Sequence, residues 1–133
     1  MSLYDTNLDK NNANYVPLTP LTFLKRAKEI YPNYEALIYE DRKFTWNQVY
    51  KRTVKFASAL NKIGVRKGDT VSFLAFNTPE IFEGHYSVPM TGAVLNTINI
   101  RLDAKTIAYI LDHSEAKVLV VDRQLHVEVK KAL

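Results

Sequence analysis

Arg101 is the side chain in this sequence best placed for binding chemistry. It closes the stretch Asn96-Thr97-Ile98-Asn99-Ile100-Arg101, where an extended segment gives way to polar residues. A loop beyond the carboxyl end of a parallel strand is where α/β sheets gather ligands, and a guanidinium is a permanently charged, forked donor. The same pattern also admits a plainer role, an arginine that anchors its own loop. Glu80 and Glu83 lie three apart in a helical first turn, a spacing that suits paired carboxylates in acid–base work. Complementarity to the positive end of the helix accounts for them more simply. His85, His113 and His126 do not make a metal set by spacing, and no cysteine is present to complete one. His85 reads as a helix residue packed beside Tyr86, or as a catalytic imidazole. His113 falls near a helix C-terminus, where an imidazolium is favoured. The four glycines, Gly64, Gly68, Gly84 and Gly92, form no phosphate-cradling cluster. These residues assign no catalytic group and no metal ligand.

The elements that must position Arg101 are legible from period and punctuation. Residues 1–16 are rich in Asn and Asp, show no period and read as an irregular arm; residues 17–133 read as the first part of a larger domain. Thr19-Pro20 opens a helix that Pro32 ends. Glu35 to Tyr39 is a short strand, Glu40-Asp41-Arg42 a turn and Lys43-Phe44 a returning strand. Thr45 and Gln48 form a capping box for a long helix that stops at Gly64. Thr70 to Phe76 is an apolar run with little alternation, which suits a strand covered on both faces. Asn77-Thr78-Pro79-Glu80 opens the next helix, and Pro89 kinks it or ends it early. Ala93 to Ile98 is extended, Asp103 caps a helix over Ala104–His113, Lys117 to Val121 is a strand, and a last helix begins near Gln124. Alternation of helix and strand implies an α/β fold with mainly parallel strands and crossover helices.

The composition narrows the function. Among 133 residues, 47% are hydrophobic and 24% charged, as in a soluble globular domain. No apolar run reaches the ~20 residues that span a bilayer. No basic segment followed by an apolar stretch marks a secretory signal. The net charge of +4 is spread among acids, which argues against nucleic-acid binding. The absence of cysteine fits a reducing compartment, so a cytoplasmic location is the expectation. The chain ends at Lys130-Lys131-Ala132-Leu133 within an amphipathic pattern and without a stop signal, so a truncated domain is expected. An uncovered sheet edge would invite association, including homo-oligomers.

Two stretches carry a resemblance. Gly68-Asp69-Thr70-Val71-Ser72-Phe73-Leu74-Ala75-Phe76-Asn77-Thr78-Pro79-Glu80 and the segment from Gly84 to Asp103, with His85-Tyr86, Val88-Pro89-Met90, Gly92-Ala93-Val94-Leu95-Asn96-Thr97 and Asn99-Ile100-Arg101-Leu102-Asp103, resemble the N-terminal region of the adenylate-forming, AMP-binding enzyme superfamily. Ile107 to Asp122 looks the same, as do Leu21 to Arg26 and Phe44-Thr45-Trp46. The match runs from about Pro17 to Leu133. Its wording is similar to the acyl-CoA synthetase branch that holds medium-chain fatty-acid, plant acyl-activating and methylmercaptopropionate-CoA ligases.

The resemblance implies a two-step ligase using ATP, Mg and coenzyme A on a small carboxylic acid. The carboxylate attacks the α-phosphate of Mg-ATP, pyrophosphate leaves, and the coenzyme A thiol then displaces AMP. The family's phosphate loop, hinge and lid lysine are not among these residues, so this chain alone is expected to be inactive. The Arg of an Asn-x-Arg loop approaches the nucleotide phosphates of coenzyme A in some relatives, and Asn99-Ile100-Arg101 matches that pattern. The rival expectations are another adenylating enzyme, such as a peptide-synthetase adenylation domain, and a free-standing, non-catalytic α/β binding module.

Overall fold

The computed structural model describes residues 6–7 and 9–133. Residues 9–19 run in turns and irregular backbone. Helix α1 (Pro20–Ile30) follows, then strands β1 (Glu35–Tyr39) and β2 (Arg42–Thr45), helix α2 (Trp46–Lys62), strand β3 (Thr70–Leu74), helix α3 (Pro79–Met90), strand β4 (Val94–Thr97), helix α4 (Ala104–His113) and strand β5 (Ala116–Val121). A 3-10 turn over Arg123–Leu125 leads into helix α5 (His126–Ala132).

The short strand, turn and returning strand read between Glu35 and Phe44 are present. β1 and β2 form a separate antiparallel hairpin, with Ile38 opposite Lys43 and Tyr39 opposite Arg42. The reason is connection length. Only Glu40 and Asp41 join the strands, and a parallel return needs a dozen or more residues. The remaining strands are parallel, in the order β4-β3-β5.

β3 is the centre of this sheet, buried on both faces. Val71 and Phe73 join Leu60, Val65 and Val88 on the side of α2 and α3. Leu74 joins Ile98, Ile107, Leu111 and Val129 on the side of α4 and α5. The crossover β3-α3-β4 and the crossover β4-α4-β5 step in opposite directions along the sheet. One preferred handedness therefore puts α3 and α4 on opposite faces. Ser72 is the buried polar residue in the strand. It is fully buried and accepts a hydrogen bond from Asn96 Nδ2 at 3.0 Å, which ties β3 to β4 through their side chains.

The helix ends follow local chemistry, with two corrections. Thr45 and Gln48 make the full capping box, with Thr45 N donating to Gln48 Oε1 at 2.8 Å. Gly64 follows α2 at φ +94°, a left-handed conformation that a Cβ disfavours. Asp103 caps α4 by accepting from the Thr106 backbone N–H at 2.8 Å, and that bond holds its carboxyl below the usual range. Thr19 and Thr78 stand at the N-cap positions of α1 and α3, but neither side chain makes the capping bond. A proline follows each, and its missing N–H already removes one orphan donor. Pro89 lies one residue before the end of α3, so the helix stops rather than kinks.

An ion-pair network fastens the hairpin to the helical layer. Glu83 is 5% exposed and takes two hydrogen bonds from Arg52 of α2, through Nε and, at 3.1 Å, through Nη2. Glu80 accepts from Arg42 of β2 at 2.8 Å and lies 3.6 Å from Arg52. The Arg52 guanidinium also sits 4.8 Å from the centre of the Phe44 ring. The sequence reading of both acids as partners of the helix dipole therefore holds in place only for Glu80, which is in the first turn. Glu83 lies three residues further along the helix and is a buried partner of Arg52. The Arg42 hydrogen bond pulls the Glu80 carboxyl down to about 2.

Gly84 sets how closely α3 approaches the sheet. A Cβ there would stand 2.8 Å from the tip of the Phe73 ring. Phe73 is 1% exposed and packs edge-on against Phe56 at 6.0 Å, so the ring has nowhere to swing. Gly84→Ala gains roughly 1 kcal/mol of helix propensity but forces an overpacked core costing about 1–3 kcal/mol. The expected result is net destabilisation of about 1 kcal/mol in chemical denaturation, and a stabilised variant would contradict the close approach.

The Glu80 pairing gives a pH dependence of defined sign. A carboxyl depressed in the folded state contributes stability above its unfolded value, and that contribution disappears as pH falls through the folded value. Stability should therefore decline between about pH 5 and about pH 2, more steeply than in Glu80→Gln. Equal slopes for the two proteins in acid denaturation would show that the pair carries no stability.

Candidate functional site at the carboxyl end of the parallel sheet

The crossover geometry creates a cleft. The loop after β3 leaves toward α3 on one face, and the loop after the adjacent β4 leaves toward α4 on the other. Neighbouring strands whose loops diverge open a crevice at their carboxyl ends, where α/β sheets bind ligands. A cleft of about 540 Å³ lies there. Its walls are Ala75, Phe76 and Asn77 after β3, Ile81 and His85 of α3, Thr97 at the end of β4, and Ile98 to Arg101 after it.

The loop that carries Arg101 is short and held at both ends. Ile98 N donates to Phe73 O at 2.8 Å, continuing the ladder past the end of β4. The Asn99 side chain accepts from Arg101 N at 3.0 Å, an Asx-type turn. Asp103 then caps α4. The loop is thus anchored by Asn99 and Asp103, not by the guanidinium. Among the described residues the Arg101 guanidinium makes no hydrogen bond or ion pair, and the residue is exposed. This excludes the self-anchoring role and leaves a rigidly based cation at the edge of a polar cleft.

The other singled-out residues separate clearly. His85 lines the same cleft as Arg101, and its Nδ1 lies 2.8 Å from the Ile81 carbonyl oxygen. His113 is the last residue of α4, as expected, and its ring stacks on Tyr109 with centroids 5.5 Å apart and planes 9° apart. His126 begins α5, with Nδ1 2.8 Å from the Arg123 carbonyl oxygen. Glu80 and Glu83 belong to the ion-pair network rather than to the cleft at Arg101. Among the described residues no group of three or more His, Asp or Glu side chains is arranged to hold a metal ion. No helix among them is long and apolar enough to cross a membrane.

Sequence reasoning missed Asn77 as a cleft residue and Arg42 and Arg52 as partners of the acids. Asn77 carried a usable signal, since it directly follows the β3 run. The arginines carried none, because their pairs join residues 38 and 31 positions apart.

Comparison with known proteins gives the family of the chain. A family model described as AMP-binding enzyme matches residues 24–133. The chain is 55% identical over 126 residues to a peroxisomal trans-cinnamate:CoA ligase of Petunia hybrida, covering 95% of this chain and 22% of the relative. It is 53% identical over 127 residues to a peroxisomal butyrate–CoA ligase of Arabidopsis thaliana, covering 96% of this chain and 22% of the relative. The chain thus spans about a fifth of the length of these curated relatives. Its fold superposes on a crystal structure of an anthranilate CoA ligase in complex with anthranoyl-AMP, with a TM-score of 0.80 and 28% identity over 83% of this chain and 21% of the other. The family model covers most of the chain and the identities exceed 50% along nearly all of it, so the chain belongs to the AMP-binding enzyme family.

Proposed function

We propose that this chain is the opening segment of an ATP-dependent acid–thiol ligase that joins a small carboxylic acid to coenzyme A. The observation that carries the proposal is the identity above 50%, along nearly the whole chain, to relatives named as CoA ligases. In the reaction a carboxylate oxygen attacks the α-phosphorus of ATP and pyrophosphate leaves, giving an acyl-adenylate. The thiolate of coenzyme A then attacks the acyl carbon and AMP leaves. Magnesium enters with ATP, as the counter-charge that phosphoryl transfer requires. The named acids of the relatives make cinnamate and butyrate the first substrates to try. A cytoplasmic location remains part of the proposal on the cysteine-free composition; the peroxisomal names belong to the relatives.

Within this reading the cleft is a phosphate subsite of coenzyme A and Arg101 is its cation. A guanidinium free of internal partners breaks no bond when it turns to a ligand, and its fork fits two phosphate oxygens. The loop before it is fixed by Asn99, so little ordering is left to be done on binding.

In the whole enzyme, Arg101→Ala should raise KM for coenzyme A about tenfold or more, the size of a charge-assisted contact. Adenylation, followed as acid-dependent pyrophosphate release, should survive. An unchanged KM for coenzyme A would remove Arg101 from the site. Failure of any acid in a broad panel to yield AMP and an acyl thioester would remove the ligase reading itself.

A further inference from the structure

We propose that His85 is a second phosphate contact in the cleft, donating from Nε2 while the Ile81 carbonyl holds its ring. The inference rests on reading the cleft as a phosphate subsite of coenzyme A. His85 lies on α3 one turn after Ile81, exposed, with Nδ1 2.8 Å from the Ile81 carbonyl oxygen. A carbonyl oxygen only accepts, so Nδ1 carries the hydrogen. That fixes the ring's orientation and leaves Nε2 without a partner among the described residues. His85 borders the polar cleft that holds Arg101 and also an apolar groove of about 490 Å³ lined by Leu37, Ile38 and Phe82. An imidazole held at this boundary has its remaining nitrogen unused and shares the cleft with a free guanidinium, so the two offer one anion a pair of donors.

The chemistry fixes the pH dependence. With Nδ1–H committed to Ile81, Nε2 donates a hydrogen only in the imidazolium form. Phosphate binding therefore draws a proton onto the ring, so the contact strengthens as pH falls and weakens as pH rises. The charged and titratable groups lining the spaces beside His85 are Arg101 from the β4–α4 loop, Tyr39 from β1 and Tyr86 from α3. Glu80, on the same helix, is held by Arg42 and Arg52.

The test is calorimetric titration of the whole enzyme with coenzyme A at about pH 6 and about pH 8, bracketing the imidazole range. Four proteins are compared: unmodified, His85→Gln, His85→Lys and Arg101→Ala. His85→Gln should weaken binding about tenfold at the lower pH and much less at the higher, as a charge-assisted bond predicts. His85→Lys, a cation at both pH values, should restore binding and flatten the difference between them. Binding by His85→Gln equal to the unmodified enzyme at the lower pH would overturn the proposal. So would a loss of the same size at both pH values, which marks a structural effect. If Arg101→Ala weakens binding while His85→Gln does not, only the role of His85 falls. If Arg101→Ala leaves binding intact, the phosphate reading of the cleft falls with it.

Discussion

The burial of β3 on both faces is the constraint on which the rest of the structure depends. A strand with Val71 and Phe73 on one side and Leu74 on the other must have helices on both. Its connections then have to diverge, since β4 and β5 flank it and each crossover covers a different face. The cleft at the carboxyl ends is the geometric consequence of that divergence. No phosphate-binding glycine motif is needed to create it, and the sequence contains none. The close approach of α3 to Phe73 across Gly84 sharpens the same point, because it brings Ile81 and His85 down to the sheet margin where they line the cleft.

Two kinds of electrostatics serve two different ends here. Around the hairpin, cations and anions are matched: Arg42 and Arg52 meet Glu80 and Glu83, and the pairing of the buried Glu83 is bidentate. A buried carboxylate left alone would be costly, and this matching avoids that penalty. At the β4–α4 loop the charges are unmatched. Asp103 is spent on its helix cap, while Arg101 is exposed and has no partner among the described residues. An unpaired cation on a loop fixed by its own turn is available for an anionic ligand.

Much of this was legible in the sequence, for identifiable reasons. Helix α4 and its Asp103 cap, the capping box of α2 and the β1–β2 turn rest on interactions within four residues, so local patterns state them. The long-range features were not legible. The hairpin itself was read as a turn with a returning strand, but its separation from the parallel sheet was not. The Arg52–Glu83 pair could not be read, because helix packing alone brings those residues together. At the cleft, Arg101 was readable as a loop cation beyond a strand, whereas the choice between anchoring and binding required seeing that Asn99 does the anchoring. The helix starts at Thr19-Pro20 and Thr78-Pro79 were legible, but not that neither threonine side chain makes a capping bond.

The central claim is that the cleft between the ends of β3 and β4 receives a phosphate of coenzyme A. The most direct measurement is a crystal structure of the whole enzyme with coenzyme A bound. The account predicts a phosphate group within about 3 Å of the Arg101 guanidinium, the distance of a charge-assisted hydrogen bond. Coenzyme A bound elsewhere, with the guanidinium still in solvent, would contradict it.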